Sequence, residues 1–271
     1  MILFPHCKIN LGLLVFGKRD DGYHELETLM YPVPIFDMLE IIPASDFSFS
    51  ISGLAIPGSR NDNLCVKAYE LLRGLKDIPP VAIHLHKMIP MGGGLGGGSA
   101  DATFTLLGLN QLFCLNYTVS ELQYLASLLG SDCPFFVNNS PQIASGRGEV
   151  LTTASHCLNG YWILLINIGI HISTKEAFQN VPISLEGTKG IQFLVNGQID
   201  FDFTILNSFE FPAFLNYPEL SGVKKWMLDQ GALHAGMTGS GSTMFGIFKE
   251  EPPTYFSSKM NGEFQVSVQI V

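Results

Sequence analysis

The chain has 271 residues, of which 46% are hydrophobic and 14% are charged, and its formal net charge at pH 7 is −9. Because disordered chains are poor in apolar residues and rich in charge, this composition predicts a folded globular protein. No apolar run reaches the ~20 residues of a membrane-spanning helix, and no basic cluster predicts a nucleic-acid surface, so an anionic ligand would need a local cradle.

The first part of the chain is predicted to form a strand hairpin followed by a helix. Apolar residues alternate over 7–15, and Lys8 and Asn10 fall on the opposite strand face. A return strand is predicted over 24–33 after a turn rich in charged residues. Apolar residues at helical spacing over 63–74 predict a helix that ends at its final glycine.

The middle of the chain combines a strand, a glycine-rich loop and a helix. Alternation predicts a strand over 81–85, and the glycine-rich stretch 90–99 separates it from a helix over 100–114. Thr118 and Glu121 have the spacing of a capping box, which predicts the start of the next helix.

The rest of the chain mixes strands and helices in no repeating order. The predicted elements are a short element at 132–137, a strand from 161, a helix from 173 that contains Phe178, a helix at 218–230 and a strand at 243–248 after a loop at 237–242. This mixed order predicts an α+β fold, and we place a boundary between two domains, 1–155 and 156–271.

The cysteines indicate a reducing compartment. Five is an odd number, and no pair has the CxxC spacing of a zinc or redox site. Nothing near Met1 is typical of a signal peptide, since Pro5 and Lys8 interrupt the apolar residues. We therefore expect a cytoplasmic protein with free thiols, at Cys7, Cys65, Cys114, Cys133 and Cys157.

The glycine loop is the strongest chemical signal. Six of the seven residues in 92–98 are glycine, which suits a backbone that curves tightly or approaches a ligand closely. Between a strand and a helix, its N–H groups can converge on phosphate oxygens at the positive end of the helix. A Walker A loop needs a lysine where Gly98 stands, and a Rossmann loop needs an acidic residue about 20 positions later, which 110–114 lacks. A plain connection is the remaining alternative.

Several motifs in order resemble one family. They are the loop Pro90–Ala100, Cys7–Leu11, Asp21–Glu25, Asp62–Leu64, Ser131–Phe136, Ile172–Thr174 and Met237–Gly241. Together they resemble the GHMP kinase superfamily of small-molecule kinases. The form of the loop is similar to the branch that acts on a cytidylated methylerythritol in the non-mevalonate isoprenoid pathway.

The resemblance implies a fold, a reaction and its partners. It implies a ribosomal protein S5 domain 2-like N-terminal domain that binds ATP and a ferredoxin-like C-terminal domain, with the active site in the cleft between them. It implies transfer of the γ-phosphoryl group of ATP, with Mg²⁺, to the C2 hydroxyl of the cytidylated acceptor. We expect no nucleic-acid or membrane partner, and a monomer or weak homodimer.

Two residues are the catalytic candidates. From spacing alone, Asp132 shortly before Pro134 is more typical of a helix N-cap, and Lys8 could be an edge-strand lysine that reaches solvent. The resemblance implies instead that Asp132 is the catalytic base. It also implies that Lys8 pairs with Asp132 and stabilises charge during transfer.

The resemblance also implies the binding residues. For ATP they are Asn63, Leu64, Lys87, Pro90, Met91, Gly92, Gly93, Gly94, Leu95, Gly96, Gly97, Gly98, Ser99 and Ala100. For the acceptor they are Lys8, Asn10, Tyr23, His24, Asp132, Phe178, Gly239 and Gly241.

Residue chemistry leaves simpler alternatives for several of these. The aromatic rings could be ordinary packing, Lys87 a solvated strand end, and the second glycine loop, 237–242, a tight turn. The hydroxyl of Ser99 could cap the helix or reach phosphate or Mg²⁺, and the metal ligands are otherwise unknown. His84 and His86 share a strand face, but without a third ligand they are predicted to be surface residues.

Rival functions remain at this point. They are another GHMP kinase that acts on mevalonate or homoserine, a catalytically silent nucleotide-binding protein on the same fold, and, more distantly, a dinucleotide oxidoreductase.

Overall fold

A computed structural model describes residues 1–179, 181–183, 194–195, 198–201, 205–253 and 264–271. Their contacts form two units whose segments alternate along the chain. The first unit holds 1–7, 35–91 and 96–139, and the second holds 8–34, 92–95 and 140–271. The predicted domain boundary at 155/156 divides the chain into two continuous segments. The two units are defined by contacts in space and each contains several segments, so the boundary stays a prediction.

The strands are β1 (Ile2–Leu3), β2 (His6–Lys18), β3 (His24–Phe36), β4 (Met38–Pro43), β5 (Ser48–Gly53), β6 (Val81–Lys87), β7 (Gln142–Gly146), β8 (Val150–Thr153), β9 (Trp162–Asn167), β10 (Leu194–Val195), β11 (Gln198–Ile199), β12 (His234–Met237), β13 (Met244–Phe248) and β14 (Phe264–Gln269). The α-helices are α1 (Leu64–Leu75), α2 (Gly97–Leu112), α3 (Val119–Ser127), α4 (Thr174–Gln179), α5 (Glu210–Asn216) and α6 (Pro218–Asp229), and 3-10 helices lie at Arg60–Asp62 and Cys133–Val137.

The first unit packs helices on a four-stranded sheet of order β1-β4-β6-β5. Its core joins apolar residues of β4 and β6 to those of α1, α2 and α3. The β5–β6 pair is parallel, and β4 pairs with β6 antiparallel. The sheet therefore supports the strand that leads into the glycine loop.

Local signals explain where the helices of the first unit begin and end. Asn63 caps α1 by accepting a hydrogen bond from the Cys65 N–H at 2.9 Å. The helix passes the predicted stop at Gly74 and ends at Leu75, because Gly74 does not adopt the left-handed conformation that ends many helices. In α3, Thr118 and Glu121 make both bonds of the capping box, which confirms that prediction.

The second unit contains two four-stranded sheets, of order β2-β3-β7-β8 and β12-β13-β9-β14, and the small β10-β11 pair. Apolar residues of β9, β13 and α6 form its core. The strand predicted from Thr243 is β13, which pairs antiparallel with β12 and β9. The helix predicted over 218–230 is α6, followed by Gly231 at φ 93°. Among the described residues, no helix is both long enough and apolar enough to cross a lipid bilayer.

Candidate active site

The glycine loop turns sharply into α2. Gly92, Gly94 and Gly96 have φ values of 68°, 78° and 69°, a region that other residues rarely adopt. Gly96 is the N-cap of α2 and offers no side chain to the N–H groups of the first turn. These groups carry the positive end of the helix dipole, so the start of α2 is suited to bind an anion. The helix begins three residues earlier than predicted.

Close packing requires glycine in the first half of the loop. A Cβ on Gly94 would lie 2.1 Å from the carbonyl oxygen of Thr238, and one on Gly93 would lie 2.5 Å from Oγ1 of Thr243. The Thr243 N–H also donates to the Gly93 carbonyl at 3.2 Å. The loop therefore packs against the second glycine loop, 237–242, which excludes a flexible connection and is compatible with a tight one.

Lys8 lies in β2, an edge strand of its sheet, but only 2% of its surface is exposed, so the alternative of a lysine that reaches solvent is wrong. Its ammonium donates to Oδ1 of Asn10 at 2.5 Å. The Asn10 amide is oriented in turn, because its Nδ2 donates to Oγ1 of Thr28 at 3.0 Å and that hydroxyl donates to the Gly12 carbonyl at 2.6 Å. The structure thus brings together two predicted residues and adds Thr28, which no sequence signal distinguished from other strand threonines.

Thr238 extends the same network. The Asn10 N–H donates to Oγ1 of Thr238 at 2.9 Å, and the Thr238 hydroxyl lies 3.2 Å from the Gly94 carbonyl that accepts it. Thr238 lies within the motif 237–241, so the sequence could have indicated it as a site residue. The prediction named only Gly239 and Gly241 of that motif. The hydroxyl thus joins β2 to both glycine loops.

Lys87 is not a solvated strand end. Its side chain is fully buried, and its ammonium donates to Asp37 at 2.5 Å and to Asp101 at 2.7 Å. Burial by itself lowers the pKa of Lys87, but the two carboxylates raise it above its usual value. The ammonium therefore stays charged although it is buried in the first unit. The sequence-based prediction was that Lys87 contacts adenine, whereas its ammonium here contacts two carboxylates.

Asp101 is the unusual acid of this cluster. Burial, opposed by Lys87 and reinforced by the carboxylate of Asp37, raises the pKa of Asp101 to about 7. Neither carboxylate was predicted. Asp37 lies between two strands and Asp101 within a helix, and no local pattern marks either position as buried.

The surroundings of Asp132 change two predictions. Asp132 precedes the 3-10 helix Cys133–Val137, but its side chain makes no capping bond to that helix, so the cap alternative is not supported. Ser99 lies inside α2 and does not cap it; its hydroxyl instead hydrogen-bonds to the thiol of Cys133. Burial raises the pKa of that thiol to about 11, so Cys133 remains a neutral packing residue.

The structure brings together only part of the predicted aromatic pocket. His24 stacks on Phe178 with ring centroids 5.0 Å apart, and Phe178 packs edge-on against Phe209. Tyr23 is half exposed and lies instead beside the Arg147 guanidinium, 4.9 Å from the ring centroid. The prediction was that Tyr23 and Phe178 stack on opposite faces of the base. In the structure, the ring of His24 covers the ring of Phe178 instead.

The remaining predicted residues have ordinary structural contacts. Asn63 caps α1, Leu64 packs against the core of the first unit, and Met91 lies 39% exposed beside Gly98. The half-buried His84 bonds to the hydroxyls of Ser50 and Ser52. Within the described part of the chain, no group of three or more His, Cys, Asp or Glu side chains could hold a metal ion.

Comparisons of fold and domain sequence define the class of protein. Residues 63–140 match the family described as GHMP kinases N terminal domain, and residues 196–262 match GHMP kinases C terminal. A mevalonate kinase structure from Methanococcus jannaschii has a TM-score of 0.68 at 13% identity, covering 100% of this chain and 98% of that one. These matches confirm the predicted α+β, two-domain fold of a GHMP kinase.

More similar relatives narrow the class. The 4-diphosphocytidyl-2-C-methyl-D-erythritol kinase of Cytophaga hutchinsonii is 45% identical over 262 residues, which are 96% of this chain and 97% of that protein. A crystal structure described as 4-(cytidine 5'-diphospho)-2C-methyl-D-erythritol kinase has a TM-score of 0.78 at 32% identity, covering 91% and 90% of the two chains. The chain belongs to the GHMP kinase family and, within it, to the 4-diphosphocytidyl-2-C-methyl-D-erythritol kinases.

Proposed function

We propose that this enzyme transfers the γ-phosphoryl group of ATP to the C2 hydroxyl of 4-diphosphocytidyl-2-C-methyl-D-erythritol, a step in isoprenoid precursor synthesis. The observation that carries the proposal is the 45% identity, over nearly the whole of both chains, to a relative of that name. Mevalonate and homoserine are weaker candidates, because the mevalonate kinase match at 13% identity supports the fold alone.

The glycine loop and the start of α2 are suited to hold the phosphates of ATP. The first-turn N–H groups supply donors, and the absent side chains let phosphate oxygens approach the backbone. Mg²⁺, when bound with ATP, would neutralise charge on the phosphates, and the hydroxyl oxygen of Ser99 is a donor of the kind it accepts. Adenine would contact the region of Asn63, Leu64 and Met91.

Asp132 and Lys8 would do the chemical work on the acceptor. Asp132 takes the proton of the C2 hydroxyl as that oxygen forms its bond to the γ-phosphorus and the bond from phosphorus to the bridging β–γ oxygen breaks. The ammonium of Lys8 stabilises the negative charge spread over the transferring group. Asn10 holds that ammonium through the 2.5 Å hydrogen bond.

Recognition of the cytosine would fall to the aromatic residues of the second unit. We propose that Tyr23 and Phe178 stack on the base, and that His24 leaves the face of Phe178 and reads the edge of the base. Gly239 and Gly241 would contact the diphosphate. Each stacked ring should add ~1–3 kcal/mol to binding, so Tyr23→Ala and Phe178→Ala should each weaken CDP binding in calorimetry.

The test of the function is turnover of ATP with the cytidylated acceptor, compared with mevalonate and homoserine under the same conditions. We expect turnover with the cytidylated acceptor alone. Faster turnover with either smaller alcohol would contradict the proposal and favour that kinase instead.

A variant at Asp132 tests the assigned base. Asp132→Asn keeps the shape of the side chain but cannot take the proton, so turnover should fall by on the order of 10²–10⁴. Turnover near that of the wild type in a folded variant would remove Asp132 from the mechanism.

Other properties stay at the level of proposals. The five cysteines are all free in the structure, which supports a reducing cytoplasmic location. We propose a monomer or weak homodimer, with the small-molecule acceptor as its partner.

A further inference from the structure

The triad of Asp37, Lys87 and Asp101 connects the two chain segments that enter and leave the glycine loop. On the entering side, Oδ1 of Asp37 accepts the N–H groups of Met88 at 2.6 Å and Ile89 at 2.9 Å. Lys87 itself is the last residue of β6. Three consecutive residues before the loop are therefore held by one buried carboxylate.

On the leaving side, the triad holds the start of α2. The ammonium of Lys87 donates to Oδ2 of Asp101, the fifth residue of the helix, at 2.7 Å. The same ammonium lies 2.9 Å from where a Cβ on Gly97 would stand, so it is packed against the first residue of α2. Glycine at 97 is what allows the charge to approach the helix start this closely.

We propose that Asp37, Lys87 and Asp101 are positioning residues for the nucleotide. They fix the separation and orientation of the two segments that flank the glycine loop. The inference rests on the proposed function, since it assumes that the loop binds the phosphates of ATP. It assigns the buried Lys87 to support of the loop and not to contact with adenine.

The burial of the triad explains why it can act in this way. The side chains of Asp37 and Lys87 are 0% exposed and that of Asp101 is 3% exposed, so water cannot replace any of the bonds between them. A buried ion pair contributes little net stability but is costly to break on one side, which makes its geometry hard to distort. Once Asp101 loses its proton near pH 7, the ammonium also offsets its negative charge near the helix end that would receive the phosphates.

The first test removes the tie between the two segments, and because Asp37 then loses its counter-ion, the stability of each variant is measured beside its affinity for ATP. The double variant Lys87→Met with Asp101→Asn is compared with the single variant Asp101→Asn, whose amide oxygen still accepts from Lys87. We expect the single variant to keep most of the affinity for ATP and the double variant to lose about tenfold to a hundredfold, as for groups displaced by an ångström. With ATP saturating, kcat and the KM for the acceptor should change little.

The second test separates positioning from direct contact. Asp37 touches no nucleotide in the proposed site, so Asp37→Ala should weaken ATP binding only through the loop, whereas Asp37→Asn should restore part of it by accepting the two N–H groups. ATP affinity is measured by calorimetry, which needs no acceptor and no turnover. Leu72→Ala, a change in the apolar core of the first unit at a residue outside the triad, controls for destabilisation alone and should leave ATP affinity unchanged.

The outcomes separate the two proposals. Weaker ATP binding in the double variant and in Asp37→Ala supports positioning, even if the acceptor proves to be a different alcohol. Loss in the double variant with wild-type affinity in Asp37→Ala would show direct contact by Lys87 and overturn the inference. Equal loss in Leu72→Ala would reduce the triad to a stability element, and a wild-type protein that binds no ATP would overturn both proposals.

Discussion

The two glycine loops differ in composition and in construction, since 92–98 has six glycines in seven residues and 237–242 has two in six. The first, 92–98, leads into the 16-residue helix α2, whereas the second, 237–242, turns from β12 into the antiparallel strand β13. Only the first loop can present a helix end to an anion. Close packing requires glycine where the two loops meet, at Gly94 and Gly239, and the first loop in addition leads into a helix end suited to an anion.

The anchors of the two loops differ in the same way. Charged groups hold the segments that flank the first loop, whereas the neutral Asn207 holds the second by donating to the carbonyls of Met237 at 2.7 Å and Gly239 at 2.9 Å. A charged anchor depends on pH and a neutral amide does not. A glycine motif alone therefore does not define the role of a loop. The residues that hold the flanking segments have to be known as well.

The largest effect is expected where the two loops meet. In Gly94→Val, the side chain would collide with the Thr238 carbonyl and the backbone would have to leave its φ of 78°. We expect a loss of stability of roughly 2–6 kcal/mol, from strain and overpacking together, and a sharp rise in the KM for ATP.

Chemical denaturation and ATP titration measure these effects. Gly17→Val is the matched control, because a Cβ at that position meets nothing within 4 Å and its φ is ordinary. Unchanged ATP affinity in Gly94→Val would show that the loop is not the phosphate cradle.

The next prediction concerns the pH dependence of stability, which the charged residues beside the first loop should have and the neutral Asn207 beside the second should not. With its pKa raised to about 7, Asp101 holds its proton in the folded state between about pH 4 and pH 7, where the unfolded chain has lost it. Its contribution to stability is therefore present at low pH and is lost as the pH rises to 7, by at most about 1.4 kcal/mol per pH unit.

Denaturant midpoints at pH 5, 6, 7 and 8 test this prediction against Asp101→Asn. The free energy of unfolding of the wild type should fall relative to that of Asp101→Asn as the pH rises through 7, and the difference should level off toward pH 8. A difference that does not depend on pH would contradict a raised pKa at Asp101.

A smaller effect is expected in the second loop. Gly239→Ala places a Cβ 3.1 Å from the Gly94 Cα in a residue with φ 58°, which should cost about 1–2 kcal/mol. ATP affinity should change little while the KM for the acceptor rises. If ATP affinity fell as far as in Gly94→Val, the two loops would have to be treated as one site.

The smallest effect is expected at Gly98, which has an ordinary φ and lies inside α2. A Cβ there would lie 3.6 Å from the flexible end of Met91, so Gly98→Ala should gain up to about 1 kcal/mol from helix propensity. Thermal unfolding measures the gain. A marked loss of ATP affinity in this stable variant would place the phosphate directly against position 98.

Local patterns predicted the parts of the site that depend on neighbours in sequence. The glycine loop, the following helix and the capping box at Thr118 are of this kind, and so is the placement of Lys8 and Asn10 on one strand face. Lys87 shows the limit, because its carboxylate partners lie 50 and 14 residues away. Alternation within β6 places Lys87 on the buried face with Val81, Ile83 and Leu85, but it could not reveal the carboxylates that make a buried ammonium possible there.

The stacking of His24 on Phe178 was missed for a related reason. The sequence placed three aromatic residues in one predicted pocket, but which ring faces which depends on the orientation of α4 relative to β3 within the second unit. The Arg147 contact with Tyr23 has the same origin, since it joins positions 124 residues apart in the chain.

The alternation of segments between the two units has a consequence for synthesis on the ribosome. The first unit is complete in sequence once residue 139 has been made, whereas the hairpin of β2 and β3 in the second unit is made earlier, and its strand β3 pairs with β7 only once residues 142–146 have been made. At a translation rate of about 5–20 residues per second, that hairpin waits roughly 5–20 seconds for its neighbour. The earliest strands of the nascent chain are therefore among the last to be paired, and a chain whose synthesis stops near residue 139 keeps one edge of β3 open.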